Sequence, residues 1–376
     1  MQISVWEKES FYKPKDIIII GSGFTGLWCA WHLKQQSPGV EITIVDRGII
    51  PTGASTRNAG FACFGSVTEL LHDIQMMGED KMLQLVEMRF NGLQQIRKVF
   101  KKPVIDFELC GGYELITGKN NLSKDQLLQH ISRLNHLLKE VVKHERSFKL
   151  ADNKIKSFGF AGIQHLIQNK LEGYLHSGKL CQALLQKVQA LGVTVLNAVE
   201  INHFEKNNDT INLYTNQHLH LNAKKILICT NAFAGQLLPG TDITPARGQV
   251  LLTSPVSGLP FNGTFHYDEG YYYFRNLGNR VLLGGARNIA FEEENTAELT
   301  TSEKIQQELE QFLSTCLIPG KEYTITDRWS GIMGVGSDKM PILRELSPGV
   351  YCAVRMSGMG VALAPVIGEK AARMLL

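Results

Sequence analysis

Residues 16–46 read DIIIIGSGFTGLWCAWHLKQQSPGVEITIVD and contain all the parts of a βαβ unit. The run at 16–20, four isoleucines after an aspartate, is typical of a strand that is buried on both faces. GSGFTG follows at 21–26 and opens an apolar helix, which we expect to reach about Gln35 and to end at the Pro-Gly pair 38–39. Residues 41–45 predict a second strand, and Asp46 follows it. This order predicts an α/β fold of the dinucleotide-binding kind.

The turn between the first strand and the helix is suited to a dinucleotide. Gly21 would make the tight turn, Gly23 would let a diphosphate approach the backbone, and Gly26 would let the helix pack closely on the sheet. Asp46 lies 20 residues after Gly26, where an acid can accept hydrogen bonds from ribose hydroxyls. A glycine-rich turn in an ordinary α/β protein is the alternative, and which dinucleotide would bind stays open on these residues. The predicted contacts of the turn are Gly21, Ser22, Gly23, Phe24, Thr25 and Gly26.

Length and composition limit the class of protein. A chain of 376 residues with 44% hydrophobic and 20% charged residues predicts two packed domains with a large core. A net charge of +3 is too small to indicate a nucleic-acid partner or an anionic membrane. Seven cysteines without a C-x-x-C pair indicate free thiols in a reducing compartment. The polar N-terminus and the lack of a long apolar segment lead us to expect a cytoplasmic protein, with peripheral membrane contact and oligomeric state left open.

A loop of small residues follows the second strand, and with it a family resemblance becomes visible. PTGASTRNAGFACFG at 51–65 could wrap a flat ligand closely, and Arg57 could meet a phosphate. GSGFTG, IVDR and GASTRNAGF together resemble the glycine-oxidase and D-amino-acid-oxidase (DAO) family of FAD-dependent enzymes, especially its bacterial amine and amino-acid oxidoreductase branch. The resemblance implies residues near FAD on this loop and just before it: Arg47, Ser55, Arg57, Asn58, Ala59 and Gly60.

The resemblance also implies the domain organisation. It predicts an α/β protein with a Rossmann-like FAD-binding domain and an α+β, mixed-sheet substrate domain, each discontinuous in the chain. The FAD-binding domain would comprise residues 1–85, 150–240 and 325–376. The substrate domain would comprise residues 86–149 and 241–324.

A second glycine loop near the C-terminus favours FAD over NAD. Residues 350–354 predict a strand, followed by a glycine loop and a helix to Leu376, so that N–H groups and a positive helix end meet an electron-rich atom. In the family that atom is O2 of the isoalloxazine, and the backbone of Ile201 would contact adenine, with Thr230 at the same edge of the sheet. The residues assigned to the second loop are Ser357, Gly358, Met359, Gly360 and Val361.

The substrate side has weaker signals. Residues 266–275 predict a strand on which Tyr271, Tyr273 and Arg275 share a face, and the resemblance places that face at the substrate. The alternative is that the tyrosines of this strand serve only to pack the domain. Amino-acid oxidases of the family have a carboxylate-binding arginine where this chain has Met333. Either Arg275 or Arg355 therefore replaces it, or the substrate has no α-carboxylate there.

The resemblance implies oxidation of the C–N bond of an amine or amino acid by hydride transfer to flavin N5, followed by hydrolysis of the imine. No side chain is expected to act as an obligate base, so the catalytic residues stay unknown. Trp329 and Ser330 stand where one branch of the family has a cysteine linked to FAD, so we expect non-covalent FAD. The acceptor would be oxygen, or a quinone or carrier. A hydroxy-acid oxidoreductase and a non-catalytic flavin-binding protein are the remaining alternatives.

Other patterns predict secondary structure. Residues 107–116 predict a hairpin around the glycines at 111–112. Ser123 is predicted to begin a helix with a capping box. Residues 292–316 predict an acidic helical region on the surface. Residues 218–221 and 225–229 read as separate strands. His218 and His220 have the spacing of a metal pair but are more simply surface residues, and no metal site is expected.

Overall fold

The computed structural model describes residues 2–376. The helices are α1 (Val5–Ser10), α2 (Phe24–Gln36), α3 (Val67–Met77), α4 (Glu79–Val99), α5 (Lys102–Ile105), α6 (Lys124–Val142), α7 (Ile155–Phe158), α8 (Ser177–Ala190), α9 (Glu303–Phe312) and α10 (Gly360–Leu375). The strands are β1 (Lys15–Ile20), β2 (Ile42–Val45), β3 (Phe61–Ala62), β4 (Gly112–Ile116), β5 (Phe148–Leu150), β6 (His165–Asn169), β7 (Gly173–Tyr174), β8 (Thr194–Leu196), β9 (Ile201–Asn207), β10 (Thr210–Thr215), β11 (His220–Ile228), β12 (Thr244–Thr253), β13 (Thr264–Tyr267), β14 (Tyr272–Leu277), β15 (Arg280–Gly285), β16 (Ile325–Val335), β17 (Ile342–Ser347) and β18 (Val350–Val354).

The chain divides into two compact units, each built from separate segments. The first contains the chain up to Thr56, Ser177–Pro245 and Met333–Leu376. The second contains Arg57–His176 and Ala246–Ile332. The domain bounds predicted from the sequence put residues 57–85 and 150–176 with the first domain, whereas the compact units put both with the second.

The first unit is organised on a sheet with the order β17-β18-β11-β1-β2-β8. β1 runs parallel to β2 and β11, and β11 runs parallel to β18, while β9 and β10 extend antiparallel from β11. The four isoleucines of β1 are at most 4% exposed, because the strand is central and covered on both faces. The βαβ unit predicted from residues 16–46 is confirmed, and α2 ends at Gln36, one residue after the expected end.

Helices α2 and α10 pack closely on each other in this unit. A Cβ on Gly368 of α10 would lie 2.7 Å from the Cβ of Trp28 on α2, so the two helices approach with no side chain between them at that point. The predicted C-terminal strand, glycine loop and helix are present as β18, residues 355–359 and α10. The two glycine loops therefore both follow parallel strands of the same sheet.

The second unit has its own sheet, with the order β16-β12-β15-β14-β13-β4-β6-β5. Its aromatic core stacks Phe265 on Phe274 with ring centroids 4.6 Å apart. A separate apolar cluster joins α3, α4 and α6 through residues such as Leu70, Val86 and Leu134. The capping box at Ser123 is confirmed, since its Oγ accepts from the Gln126 N–H and the Gln126 side chain accepts from the Ser123 N–H.

Four local predictions were wrong. The 107–116 hairpin is absent from the described residues, because β4 pairs with β6 and β13 instead. One strand, β11 (His220–Ile228), replaces the two separate strands predicted at 218–221 and 225–229. The predicted strand 266–275 is a hairpin of β13 and β14, since Asp268, Glu269 and Gly270 adopt positive φ. The acidic region 292–316 is helical only from Glu303.

The aromatic residues near the N-terminus differ in burial. Trp6 is 75% exposed and Phe11 51% exposed, while Tyr12 packs against the core of the first unit. All seven cysteines are free, and six of them are buried. Within residues 2–376, no helix combines the length and the apolar composition needed to cross a membrane.

Candidate functional site

The turn between β1 and α2 tolerates no side chain at two of its glycines. Gly21 has φ +110°, and a Cβ there would lie 2.9 Å from the carbonyl oxygen of Cys229. A Cβ on Gly26 would lie 2.1 Å from the carbonyl oxygen of Gly21. Gly23 is the N-cap of α2 and has no side chain to cap the helix. The positive end of α2 therefore begins directly at a bare backbone turn.

Asp46 is hydrogen-bonded to this turn. Its Oδ2 accepts from the backbone N–H of Ser22 at 2.8 Å and from the Ser22 hydroxyl at 2.6 Å, and its Oδ1 accepts from the N–H of Gly48 at 2.9 Å. A carboxylate offers about four acceptor positions, so one remains for a ligand hydroxyl. Ser55 Oγ accepts from the N–H of Phe24 at 2.9 Å, which brings the next loop to the N-terminus of α2.

The segment 229–231 contacts both glycine loops of the first unit. Its Cys229 carbonyl lies against Gly21, and the Oδ1 of Asn231 accepts from the N–H of Met356 at 3.1 Å. Two hydroxyl oxygens in this area, Thr230 Oγ1 and Ser357 Oγ, are buried and make no hydrogen bond. Buried hydroxyls without partners are rare in proteins, so these two atoms are suited to a ligand that supplies polar contacts.

The C-terminal loop has an unusual backbone. Arg355, Ser357 and Gly358 have φ of +63°, +45° and +80°, a region that non-glycine residues seldom occupy. The N–H of Ser357 donates to the carbonyl of Gly334 at 3.1 Å. Met333 packs on the same loop, since a Cβ on Gly358 would lie 3.2 Å from its Sδ. Such strain persists only where surrounding contacts hold it, and it is common at ligand sites.

Arg355 makes several of the contacts that hold the strained C-terminal loop. Its guanidinium donates to Asp242, to Asp338 Oδ1 at 2.5 Å and to the carbonyl of Met340 at 2.9 Å. The Arg355 side chain is 8% exposed and has two carboxylate partners. It therefore serves to hold the loop and has little capacity left for a substrate carboxylate.

Two other predicted residues lie in the first unit. The guanidinium carbon of Arg47 lies 3.8 Å from the ring centroid of Phe233, and Arg47 Nη1 is 3.9 Å from Glu200. Ile201 begins β9 and is 7% exposed.

Residues 57–60 belong to the second unit. Arg57 donates to the carbonyl of Ser330 at 3.0 Å, and its own carbonyl accepts from the indole N–H of Trp329 at 2.9 Å. Asn58 Oδ1 accepts from the N–H of Gly60 at 2.9 Å, and Ala59 joins a small apolar cluster. Contacts within the second unit, both near and distant in the sequence, therefore fix this loop.

Tyr273 and Arg275 lie two residues apart on β14, as expected. The ring of Tyr273 contacts Phe61 and covers Gly284, where a Cβ would be 2.5 Å from the Tyr273 ring. Arg275 is 4% exposed, and its Nη1 donates to the carbonyl of Leu175 at 3.2 Å. Tyr271 precedes β14 and contacts Phe291 instead.

Sequence reasoning missed a group of buried ionisable residues in the second unit. Glu172 Oε1 accepts from the N–H groups of Phe64 at 2.8 Å and Gly65 at 3.2 Å, and Oε2 lies 3.8 Å from Nε2 of His266. Glu114 accepts from Ser66, Val67 and Thr68 at the start of α3. The available signal was an acid inside an apolar run, as in GYELI at 112–116 and LEGYL at 171–175.

Burial determines the protonation states of Glu172, Glu114 and His266. It raises the pKa of Glu172 to about 8 and that of Glu114 to about 7, although hydrogen bonds to both carboxyls act in the opposite direction. Burial lowers the pKa of His266 to about 4, so its imidazole is neutral. Glu172 and His266 line a small cavity of about 10 Å³, the size that one water needs.

No group of three His, Cys, Asp or Glu side chains able to hold a metal ion occurs among residues 2–376. His220 lies on β11 with its ring 4.8 Å from that of Tyr214.

The chain is similar to known proteins over nearly its whole length. Residues 16–374 match the family model described as FAD dependent oxidoreductase (DAO). The chain is 25% identical over 377 residues to a probable oxidoreductase OrdL of Rhizobium meliloti (strain 1021), covering 97% of this chain and 83% of that protein. It is 22% identical over 378 residues to gamma-glutamylputrescine oxidoreductase of Escherichia coli (strain K12), covering 96% and 83%.

Solved structures are similar in fold. L-proline dehydrogenase from P. horikoshii has a TM-score of 0.79 at 20% identity, with 97% of this chain and 94% of that chain covered. Glycine oxidase from Geobacillus kaustophilus has a TM-score of 0.78 at 17% identity, with 96% and 94% covered.

Proposed function

This chain belongs to the DAO family of FAD-dependent oxidoreductases, and from that premise we propose that it oxidises the C–N bond of an amine or amino acid with non-covalently bound FAD. The observation that carries the proposal is the pair of glycine loops in the first unit, each leading from a parallel strand into a helix and both in contact with residues 229–231. A nicotinamide-binding protein needs only the first of them.

The residues of the first unit fit FAD. The bare turn at 21–26 and the N-terminus of α2 suit a diphosphate, and Asp46 keeps an acceptor position for a ribose hydroxyl. The unpartnered hydroxyls of Thr230 and Ser357 would gain hydrogen bonds from the cofactor. We assign the adenine side to Ile201 and the flavin O2 side to residues 357–361. Arg47 and Ser55 complete the proposed set in the first unit.

FAD, when bound, supplies the acceptor for a hydride at N5, and the resulting imine is hydrolysed by water. The chain's contribution is to position the amine and to exclude water. Arg355 keeps the strained loop in place through Asp242 and Asp338, and Met333 packs on that loop. Relatives that include a D-amino acid dehydrogenase of Vibrio atlanticus (strain LGP32) support an amine or amino-acid substrate, with oxygen or a quinone as acceptor. A cytoplasmic location is part of the proposal.

An anaerobic titration of the purified protein tests the function. The visible flavin spectrum is followed while amines, N-methyl amino acids, D- and L-amino acids and hydroxy acids are added in turn. Bleaching by an amine or amino acid supports the proposal, and bleaching by hydroxy acids alone contradicts it. Oxygen consumption with the reducing compound then separates an oxidase from a dehydrogenase.

Acid precipitation provides a second prediction. Because neither Trp329 nor Ser330 offers a thiolate, we expect all yellow colour to appear in the supernatant and its mass to equal that of free FAD. A pellet that keeps its flavin absorbance would contradict non-covalent binding. An aliquot unfolded in guanidinium serves as the control, since it must release the same amount of flavin.

A further inference from the structure

A glycine leaves an open space on one face of the second unit's sheet. Gly112 of β4 stands opposite Asn169 of β6. Two residues further along the same face of β4, Glu114 stands beside His266 of β13. The carboxyl of Glu172 fills part of the space above Gly112, since a Cβ there would lie 2.2 Å from Glu172 Oε2. The cavity of about 10 Å³ lies here, and polar side chains from three separate segments form its wall.

Two polar atoms on residues that line this cavity are buried and have no hydrogen-bond partner in the part of the chain that the structure describes. They are Nδ2 of Asn169 and Nε2 of His266, on residues that are 4% and 6% exposed. The Oδ1 of Asn169 accepts from the N–H of Leu171 at 3.0 Å, which fixes the amide and leaves its N–H donor unused. Unpartnered buried polar atoms are rare, and two of them at one cavity indicate a molecule between them.

Glu172 presents a third polar group to the cavity. Its Oε1 already accepts from the N–H groups of Phe64 and Gly65. Its Oε2 lies 3.8 Å from Nε2 of His266, which is too far for a direct hydrogen bond and close enough for one water molecule to contact both atoms. Because burial raises the pKa of Glu172 to about 8, the carboxyl has a proton to donate at neutral pH, and Oε2 is the oxygen free to carry it.

The groups around the cavity are suited to water and not to an ion. The unused N–H of Asn169 would repel a cation. An anion would find no positive charge, because burial lowers the pKa of His266 to about 4 and every other described residue that lines the cavity is neutral or acidic. The occupant must instead accept from an N–H and an O–H and donate to an imidazole nitrogen, as water can. A cavity of this volume holds one such molecule.

We propose that this cavity is the binding site of a single buried water molecule, which accepts hydrogen bonds from Asn169 and Glu172 and donates one to His266. Three hydrogen bonds are typical of a buried water. The water would connect β13 with the chain that follows β6, and Oε1 of Glu172 extends this connection to the residues before α3. The site is independent of the cofactor and of the reaction proposed above.

A crystal structure of the holoenzyme that resolves ordered water tests the site directly. We expect one density peak within about 3.2 Å of Nδ2 of Asn169, Nε2 of His266 and Oε2 of Glu172. Crystals grown with rubidium and with bromide report on ions through anomalous scattering, and neither ion should occupy the cavity. An empty cavity in well-ordered density, or an anomalous peak from either ion at this position, overturns the proposal.

Variants test the hydrogen bonds in solution. The side-chain N–H protons of Asn169 should show a nuclear Overhauser effect to bound water in the wild type. His266→Phe keeps an aromatic ring against Phe61, which lies 5.2 Å from the imidazole centroid, but removes the acceptor, so this effect should be lost. Glu172→Gln should retain it, because the amide N–H replaces the acid O–H. Thr43→Val is the matched control, since it removes a buried hydroxyl of the first unit that has no hydrogen-bond partner among residues 2–376.

The control should behave as the wild type does. A His266→Phe protein that keeps the water signal, or a Glu172→Gln protein that loses it, would contradict the assigned hydrogen bonds. If His266→Phe does not fold, the wild type alone decides, because the absence of a water signal at the Asn169 amide would overturn the site.

Discussion

Replacing Gly26 with alanine is expected to abolish flavin binding and to destabilise the protein by about 2–4 kcal/mol. The added Cβ would lie 2.1 Å from the carbonyl oxygen of Gly21 and 3.1 Å from a side-chain carbon of Ile19. The first of these is a backbone atom of the turn itself, so α2 must move away from β1 to relieve the overlap. That movement would displace the helix N-terminus that faces the proposed diphosphate position.

The measurements are the ratio of flavin to protein absorbance after purification and the midpoint of thermal unfolding. Gly39→Ala is the matched control, because a Cβ at Gly39 would have no heavy atom within 4 Å and its φ is not positive. The control should keep its flavin and its midpoint. A Gly26→Ala protein that behaves like Gly39→Ala would contradict both the packing argument and the proposed cofactor position.

Replacing Glu172 with glutamine is expected to stabilise the protein at pH 8 and to change little near pH 4.5. The pKa of Glu172 is raised from its ordinary 4.5 to about 8 by burial, so the folded state holds a proton that the unfolded state releases within that interval. The contribution of Glu172 to stability is therefore fully present below pH 4.5 and is lost as pH rises to 8. The difference is on the order of 3–5 kcal/mol. Glutamine resembles the protonated acid and still accepts from the N–H groups of Phe64 and Gly65.

Thermal midpoints of the wild type and Glu172→Gln, measured from pH 4.5 to 8.5, check this prediction. The advantage of the variant should grow by several degrees across the interval. Glu114, with its pKa raised to about 7, titrates in the same direction, so the variant should keep part of the slope. Glu145→Gln is the control, since that side chain is 80% exposed. Parallel curves for the wild type and Glu172→Gln would show that Glu172 is ionised in the folded state.

The fold and the family could be predicted because their signals are local and short. The isoleucine run, the glycine turn and Asp46 lie within 31 residues. The structure that each of them predicts follows from local backbone geometry and does not depend on the rest of the chain. The predicted α/β fold and the family are confirmed. The use of FAD follows from the family.

The long-range details could not be predicted, because they depend on pairings between distant segments. The glycines at 111–112 suggested a hairpin, but β4 finds its partners at β6 and β13, the second more than 140 residues away. The buried position of Glu172 depends on Phe64 and Gly65, 108 and 107 residues earlier. Arg355 is no longer a candidate for binding a substrate carboxylate because it pairs with Asp242, which lies 113 residues before it.

The order of strands in the first unit determines how late in synthesis its central strand can be covered. Central β1 is made first, but its neighbour β11 arrives about 200 residues later, and β18 and α10 only at residues 350–375. Ile17–Ile20 therefore leave the ribosome long before the strand and helix that cover them. A nascent chain would expose this hydrophobic, aggregation-prone segment to other chains or to chaperones for most of translation. Flavin capture must then follow the release of almost the whole polypeptide, so the supply of FAD should influence how much newly made protein reaches the folded state.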